Sequence, residues 1–198
     1  MSRQTQKPAG SPVERILAVA AELFYKQGYR ATGVNEVIEK SGVAKATFYH
    51  HFPAKDDLAA AYLKAAHAEE LVYLDQFLAA ETEPLGRFLS VVASIRPWLI
   101  DHDFRGCPFI NIASEVPDPN DRLRKVGVQL YEDVRKRVEN LATALIASDR
   151  KKYGRLDAWK VSHAYMLILA GAMALAEINH DLAPAEHALE TVRRLVGA

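Results

Sequence analysis

The chain lacks most of what marks secreted, membrane-spanning or disordered proteins. Its 198 residues hold a single cysteine, Cys107, which excludes an internal disulfide framework and fits a reducing, cytoplasmic setting. Its longest apolar run, Ala164 to Ile178 (AYMLILAGAMALAEI), falls short of the roughly 20 residues needed to cross a bilayer. It reads as a helix buried on nearly all sides, and no membrane partner is expected. No apolar run follows the charges of MSRQTQKPAGS, so this start reads as a polar arm rather than a secretory signal. A net positive charge is also missing: 25 Lys and Arg balance 25 Asp and Glu. Residues 1–60 carry +2 and the remainder −2, a faint asymmetry.

The chemistry of catalysis is missing too. The seven histidines show no paired ligand spacing on a helix face apart from adjacent His50 and His51, whose side chains diverge. His102-Asp103 matches half of a metal-phosphohydrolase motif without its partners. No activated nucleophile, Gly-rich phosphate loop or nucleotide fingerprint is present. Neither an enzyme, a metal site nor a cofactor is therefore expected. Strand-like alternation, internal repeats and low-complexity blocks are absent as well.

What is present has helical period throughout, giving an all-α fold. Ser11-Pro12-Val13-Glu14 is a capping box with proline at the first helical position. Val13, Ile16, Leu17, Ala20 and Phe24 then form one apolar face that ends near Gly28. Thr32 is placed to cap a short second helix, with Val34, Val37 and Ile38 inward and Gly42 as its stop. A third short helix ends at Pro53, and a long fourth runs from about Lys55 to about Ala80. Pro84 opens a fifth that Pro97 should kink or end. CPFINIASEV is a sixth, Asp118-Pro119 opens a long seventh, an apolar eighth spans about Asp157 to His180, and Pro184 opens a ninth.

The segment GVAKATFYHHFPAKDDL, Gly42 to Leu58, is unusual for a bundle turn. Only Phe48 and Phe52 suit a core, while Lys45, Thr47, Tyr49, His50 and His51 crowd two helical turns with hydrogen-bonding groups. Two short helices meeting at Ser41-Gly42-Val43 make a helix-turn-helix, whose second helix enters the DNA major groove. Lysine neutralises phosphate or binds guanine edges, and hydroxyl and imidazole groups donate to phosphate oxygens. The plain alternative is a solvated turn between two bundle helices.

From Glu14 to Leu58 the sequence resembles the TetR family of bacterial transcriptional regulators. The resemblance rests on Phe24 to Gly28 followed by Tyr29, then Thr32, Gly42-Val43, Thr47-Phe48-Tyr49, Phe52 and Lys55. It implies a helix-turn-helix domain over residues 1–54 and a ligand-binding and dimerisation domain over 55–198. Carried over, Thr32, Thr47, Tyr49, His51 and Lys55 match phosphate-contacting positions, and Lys45, Ala46 and His50 match positions facing base edges; Tyr49 can do either. Ala44 and Ala54 replace the family's usual capping residues, each forgoing roughly 0.5–2 kcal/mol. Asp56 and Asp57 offset part of the second loss through the helix dipole.

The same resemblance implies a homodimer on a palindromic DNA operator, released by a small-molecule effector that the sequence does not identify. Ala164, Gly171, Ala172, Ala174 and Ala176 permit close helix approach. Gly171, Leu175, Leu189, Val192, Leu195 and Val196 are the expected dimer interface. Trp98, Phe104, Cys107, Phe109, Tyr131, Tyr165 and Met166 are candidate ligand-binding residues. Cys107 precedes Pro108 at a predicted helix start, where partial positive charge lowers a thiol pKa. A Gly-Cys at this place resembles a branch whose members sense oxidants or electrophiles; the preferred alternative is a buried, inert cysteine that behaves as a small hydrophobe. Two alternatives to the operator-binding repressor are a helical dimer that binds small molecules without DNA, and a redox sensor acting through Cys107.

Overall fold

A computed structural model describes residues 10–198, so most of the polar arm expected over residues 1–11 lies outside the described residues. Every regular element among them is α-helical. In chain order these are α1 (Pro12–Gln27), α2 (Val34–Ser41), α3 (Lys45–His51), α4 (Lys55–Ala80), α5 (Pro84–Ala93), α6 (Ile95–Asp101), α7 (Pro108–Glu115), α8 (Arg122–Ser148), α9 (Arg150–Tyr153), α10 (Ala158–Asn179) and α11 (Ala183–Leu195). The count exceeds nine because the fifth predicted helix is broken and a one-turn α9 follows α8.

The break falls at Ser94, not Pro97. The Ser94 hydroxyl donates to the Val91 carbonyl at 2.8 Å, and Pro97 then occupies the first turn of α6, where an amide needs no helical partner. The long α8 likewise starts later than Asp118-Pro119. Asp118 builds a turn by accepting from the Asn120 amide at 2.8 Å, and Asp121 caps α8 by accepting from the Leu123 amide at 2.7 Å.

The described residues divide into two compact units, one comprising 10–66 with 111–127 and the other 67–110 with 128–198. The first unit therefore draws on a segment well beyond residue 54. Its core holds Ile16, Leu23, Phe24, Val37, Phe48, Leu58 and Leu63, joined by Ile112, Val116 and Leu123. The start of α1 has the predicted capping box, with the Glu14 carboxylate accepting from the Ser11 amide at 2.7 Å. In α2 the N-cap is Gly33, without a side-chain cap; Thr32 sits one residue too early. Gly42 ends α2 in the left-handed conformation (φ 63°, ψ 29°), which glycine adopts without a Cβ penalty.

The second unit packs α11 against α10 and α5, with Phe88, Leu99, Val138, Tyr165 and Val192 at its centre. Arg135 is buried, and its guanidinium is held by Glu132 at 2.8 Å, Glu139 at 2.7 Å and the Ser162 hydroxyl at 3.1 Å. That grip joins α8 to α10. Helix α10 has 22 residues and by length and hydropathy could cross a bilayer, more than the apolar run alone indicated. Its inward face is core, and its Glu177 is paired with Arg105.

Candidate functional site

Helix α3 is anchored by one side chain. Phe48 is its sole buried residue, contributing roughly 1.5–3 kcal/mol of burial, and it packs edge-on to Tyr49 and tilted against Phe52. Its N-cap is Ala44, with no side-chain cap. On the opposite side Lys45, Ala46, His50 and His51 are exposed, Tyr49 is 42% exposed and Thr47 is half-buried. Among the described residues, no hydrogen bond or ion pair within the chain engages the side chains of Lys45, Thr47, Tyr49, His50 or His51. Their donors are available to an outside acceptor.

The remaining predicted DNA residues behave differently. Thr32 is buried, and its hydroxyl donates to the Gly28 carbonyl at 2.8 Å. It fixes the turn before α2 rather than pointing outward to a phosphate. Lys55 lies 4.4 Å from the centre of the Tyr29 ring and donates to the Arg30 carbonyl at 3.4 Å. Burial lowers its ammonium pKa, against the opposing pull of Glu115 and Asp56.

Around these residues lies a cluster that the sequence did not announce. The Tyr29 hydroxyl donates to Asp56, and burial followed by that hydrogen bond raises the phenol pKa. The Glu115 carboxylate accepts from the Tyr29 amide at 2.9 Å and the Arg30 amide at 2.6 Å. Asp57 accepts from the Ala54 amide at 3.1 Å and from Arg122 at 2.5 Å, and the Arg122 bond is the main cause of its lowered pKa. Partners 65 to 86 positions apart leave no periodic signal. The Asp-rich start of α4 was the only hint.

In the second unit the candidate ligand residues separate into two groups. Tyr165 and Met166 are core, not pocket. The Tyr165 hydroxyl accepts from the Val92 amide at 2.7 Å and donates to the Phe88 carbonyl at 3.0 Å, and burial raises its pKa. Tyr131 is on the surface. Trp98, Phe104 and Cys107 are half-buried against the core. Trp98 stacks on His102 with centroids 3.8 Å apart, and its buried indole N–H has no acceptor among the described residues. Phe109 meets His67 edge-on at 6.0 Å. His67, absent from the sequence expectations, is buried, with its two ring nitrogens 3.4 Å from Glu70 and 3.5 Å from Asp133. Cys107 does precede the first residue of α7, yet its thiol pKa is pushed up to about 12. Burial is the main cause, reinforced by Glu70, and it outweighs the hydrogen bonds from the Ile110 and Phe109 amides.

The expected dimer residues also divide. Val192 and Val196 are buried in their own subunit, and Leu189 and Leu195 pack partly against the same core. Gly171 and Leu175, also expected there, lie with Leu167 (73% exposed) and Ile178 (76%) on an open apolar stripe of α10, where Leu175 is 51% exposed. It borders a groove lined on α11 by Pro184, His187, Ala188 and Thr191.

An all-helical chain with a left-handed glycine between α2 and α3, and a free polar face on α3, is a helix-turn-helix DNA-binding protein. Residues 16–62 match the model of the bacterial regulatory proteins of the tetR family, and residues 84–192 match that of the tetracyclin repressor-like C-terminal domain. The chain belongs to the TetR family of DNA-binding transcriptional regulators.

Its relatives include the HTH-type transcriptional regulator LmrA of Bacillus subtilis, 31% identical over 130 residues, covering 63% of this chain and 67% of LmrA. The HTH-type transcriptional repressor NemR of Escherichia coli is 26% identical over 200 residues, covering 92% of each. Among solved structures, the TetR-family regulator SCO4454 of Streptomyces coelicolor superposes with a TM-score of 0.82 at 26% identity, over 94% of this chain and 89% of that one.

Proposed function

We infer that the protein is a repressor that binds a palindromic operator as a homodimer and leaves it when a small molecule binds its second unit. The observation that carries the reading is the α3 face: Lys45, Thr47, Tyr49, His50 and His51 present donors that the chain does not use. Lys45, Ala46 and His50 face base edges in this reading, while Thr47, Tyr49 and His51 hold phosphates. Lys55 makes its phosphate contact from a pre-set position above Tyr29. The Leu167–Gly171–Leu175–Ile178 stripe supports a second copy as its cover, since a run of large exposed side chains this apolar is costly in water. The name of NemR supports the repressor role, and the cytoplasm is the compartment in which it acts.

Release follows as a population shift. The effector binds more tightly to the state in which the two α3 helices no longer match major grooves roughly 34–36 Å apart. Trp98, Phe104 and Phe109, with the unpartnered Trp98 indole N–H, are the residues proposed to meet it. A sensor acting through a thiolate at Cys107 is disfavoured by the thiol's raised pKa. Selection of bound duplexes from a random pool tests the reading. The expected result is one enriched, two-fold symmetric sequence occupied by two chains; no enriched sequence overturns operator binding and leaves a DNA-independent small-molecule binder.

A further inference from the structure

The turn from α1 into α2 is fastened by a side chain 86 positions further on. Gly28 has φ +95°, and the amides of Tyr29 and Arg30 that follow point to one place. Consecutive backbone N–H groups in such a turn form an anion-binding concavity. The Glu115 carboxylate fills it, one oxygen to each amide at 2.9 and 2.6 Å. The fit is close: a Cβ on Gly28 would stand 2.8 Å from the nearer oxygen.

The other polar groups of this turn are held as well. Thr32 takes the Gly28 carbonyl, Lys55 takes the Arg30 carbonyl, and Asp56 takes the Tyr29 hydroxyl. The last two ties join the turn before α2 to the turn after α3. That second turn receives its own charged side chain, Arg122, through Asp57. Helices α2 and α3 lie between, and α3 has seven residues, no side-chain cap and one buried side chain. An isolated helix this short is not stable in water. The direction in which α3 points therefore depends on what holds the two ends of the α2–α3 pair, the turn before α2 and the turn after α3, and Glu115 and Arg122 hold those ends from outside the pair.

We propose that Glu115 is a positioning residue for operator reading: its carboxylate, seated on the Tyr29 and Arg30 amides, sets the angle at which α3 presents its face to the bases. The proposal rests on the operator reading above. It opposes what charge alone requires. Removing a carboxylate from a DNA-binding head weakens repulsion of phosphate, so by electrostatics its loss tightens binding to every duplex. Positioning requires the reverse on the operator and little change on random DNA, because base contacts depend on angle more than phosphate contacts do.

The test uses E115Q and E115D in the full chain, titrated against the selected operator and a random duplex. E115Q keeps the shape but replaces one acceptor by a donor facing an amide. The expected loss on the operator is about tenfold or more, the effect of losing one charge-assisted hydrogen bond in each subunit. Affinity for random duplex stays within about threefold, and the salt slope is not shallower. E115D keeps the charge but is one methylene too short to span both amides, and it shows the same selective loss. In hydrogen exchange the Tyr29 and Arg30 amides exchange at least about tenfold faster in both variants, while the amides of α1 keep their protection. If E115Q binds the operator as well as or better than the parent, or loses operator and random DNA equally, the proposal is overturned. E115D decides in the same way should E115Q not fold. A parent protein with no preferred sequence overturns the operator reading as well.

Discussion

Replacing Lys45 by alanine separates base reading from phosphate holding. Lys45 is the first residue of α3, exposed, and engaged by no partner within the chain among the described residues. The first turn of a recognition helix is the part that reaches base edges. A good contact there discriminates by roughly 1–3 kcal/mol in each half-site, so a dimer loses about 2–6 kcal/mol on its operator. On random DNA the same variant loses little. Because alanine has the higher helix propensity and the position buries nothing, the melting temperature stays within about 1–2 °C. Lys55→Ala is the control. In the proposed reading it removes a phosphate contact, so the log–log salt slope becomes shallower by about two for a dimer, and it also cuts the tie to the Arg30 carbonyl. It also removes the cation from the Tyr29 ring, and the head loses roughly 0.5–1 kcal/mol. Fluorescence-anisotropy titrations of both variants on operator and random duplexes, at four salt concentrations, with parallel thermal melts, measure all of these. If Lys45→Ala loses operator and random binding equally, Lys45 holds phosphate and the assignment of the reading face is wrong; if it loses neither, α3 is not the reader.

Leu175→Asp puts a charge in the middle of the open α10 stripe, so sedimentation at tens of micromolar should change from dimer to monomer while the melt hardly moves. A dimer that persists in the variant refutes this interface. Val192→Asp should instead prevent folding, because that residue belongs to its own subunit's core. With its thiol pKa near 12, Cys107 is ionised at pH 7 to about one part in 10⁵, against a few per cent for an ordinary thiol. Iodoacetamide should therefore label it much more slowly than glutathione until the protein is unfolded, and labelling of the folded protein at the glutathione rate refutes the raised thiol pKa. The same raised pKa gives a stabilising contribution that is complete below about pH 8.5–9, the unfolded value, and is lost as pH rises towards 12. Melting temperatures of the parent and Cys107→Ser should diverge in that window, with the serine variant declining less.

Short-range physics was readable in the chain. The capping box at Ser11 and Glu14, the left-handed stop at Gly42, the proline starts at Pro84 and Pro108, and both ends of α4 all depend on neighbours within four residues. Their structures agree with the pattern. Long-range partnership was not readable. Thr32 has the residue type of a phosphate contact and also of a turn lock, and only the nearness of the Gly28 carbonyl decides between them. Tyr165 and Trp98 both have aromatic rings on apolar helices; two backbone partners make the first a core residue, and their lack leaves the second's indole N–H unpartnered. For Val192 and Leu175, one apolar periodicity cannot say which stripe meets its own subunit. Cys107 was placed correctly at the helix start, but position near a dipole is a small effect beside removal from water. Glu115 had no local signal of any kind, since a glutamate at a helix end is ordinary until its partners are known.

The separation on α3 between the buried Phe48 and the outward Lys45, Ala46 and His50 has a consequence for descent rather than for binding. In most proteins a change of specificity disturbs packing, and a lineage must first accumulate spare stability before it can acquire the new trait. Here the three positions proposed to face the bases carry no share of the core, and Ala46 is a bare methyl in open solvent. Asparagine or glutamine at position 46 adds a bidentate reader of adenine, and arginine adds one for guanine, with no neighbour to displace. After a gene duplication, one copy can therefore move to a new DNA sequence through single substitutions while its fold stays as inherited. A library randomised at 45, 46 and 50 should consequently contain mostly folded proteins, differing in the sequences they prefer.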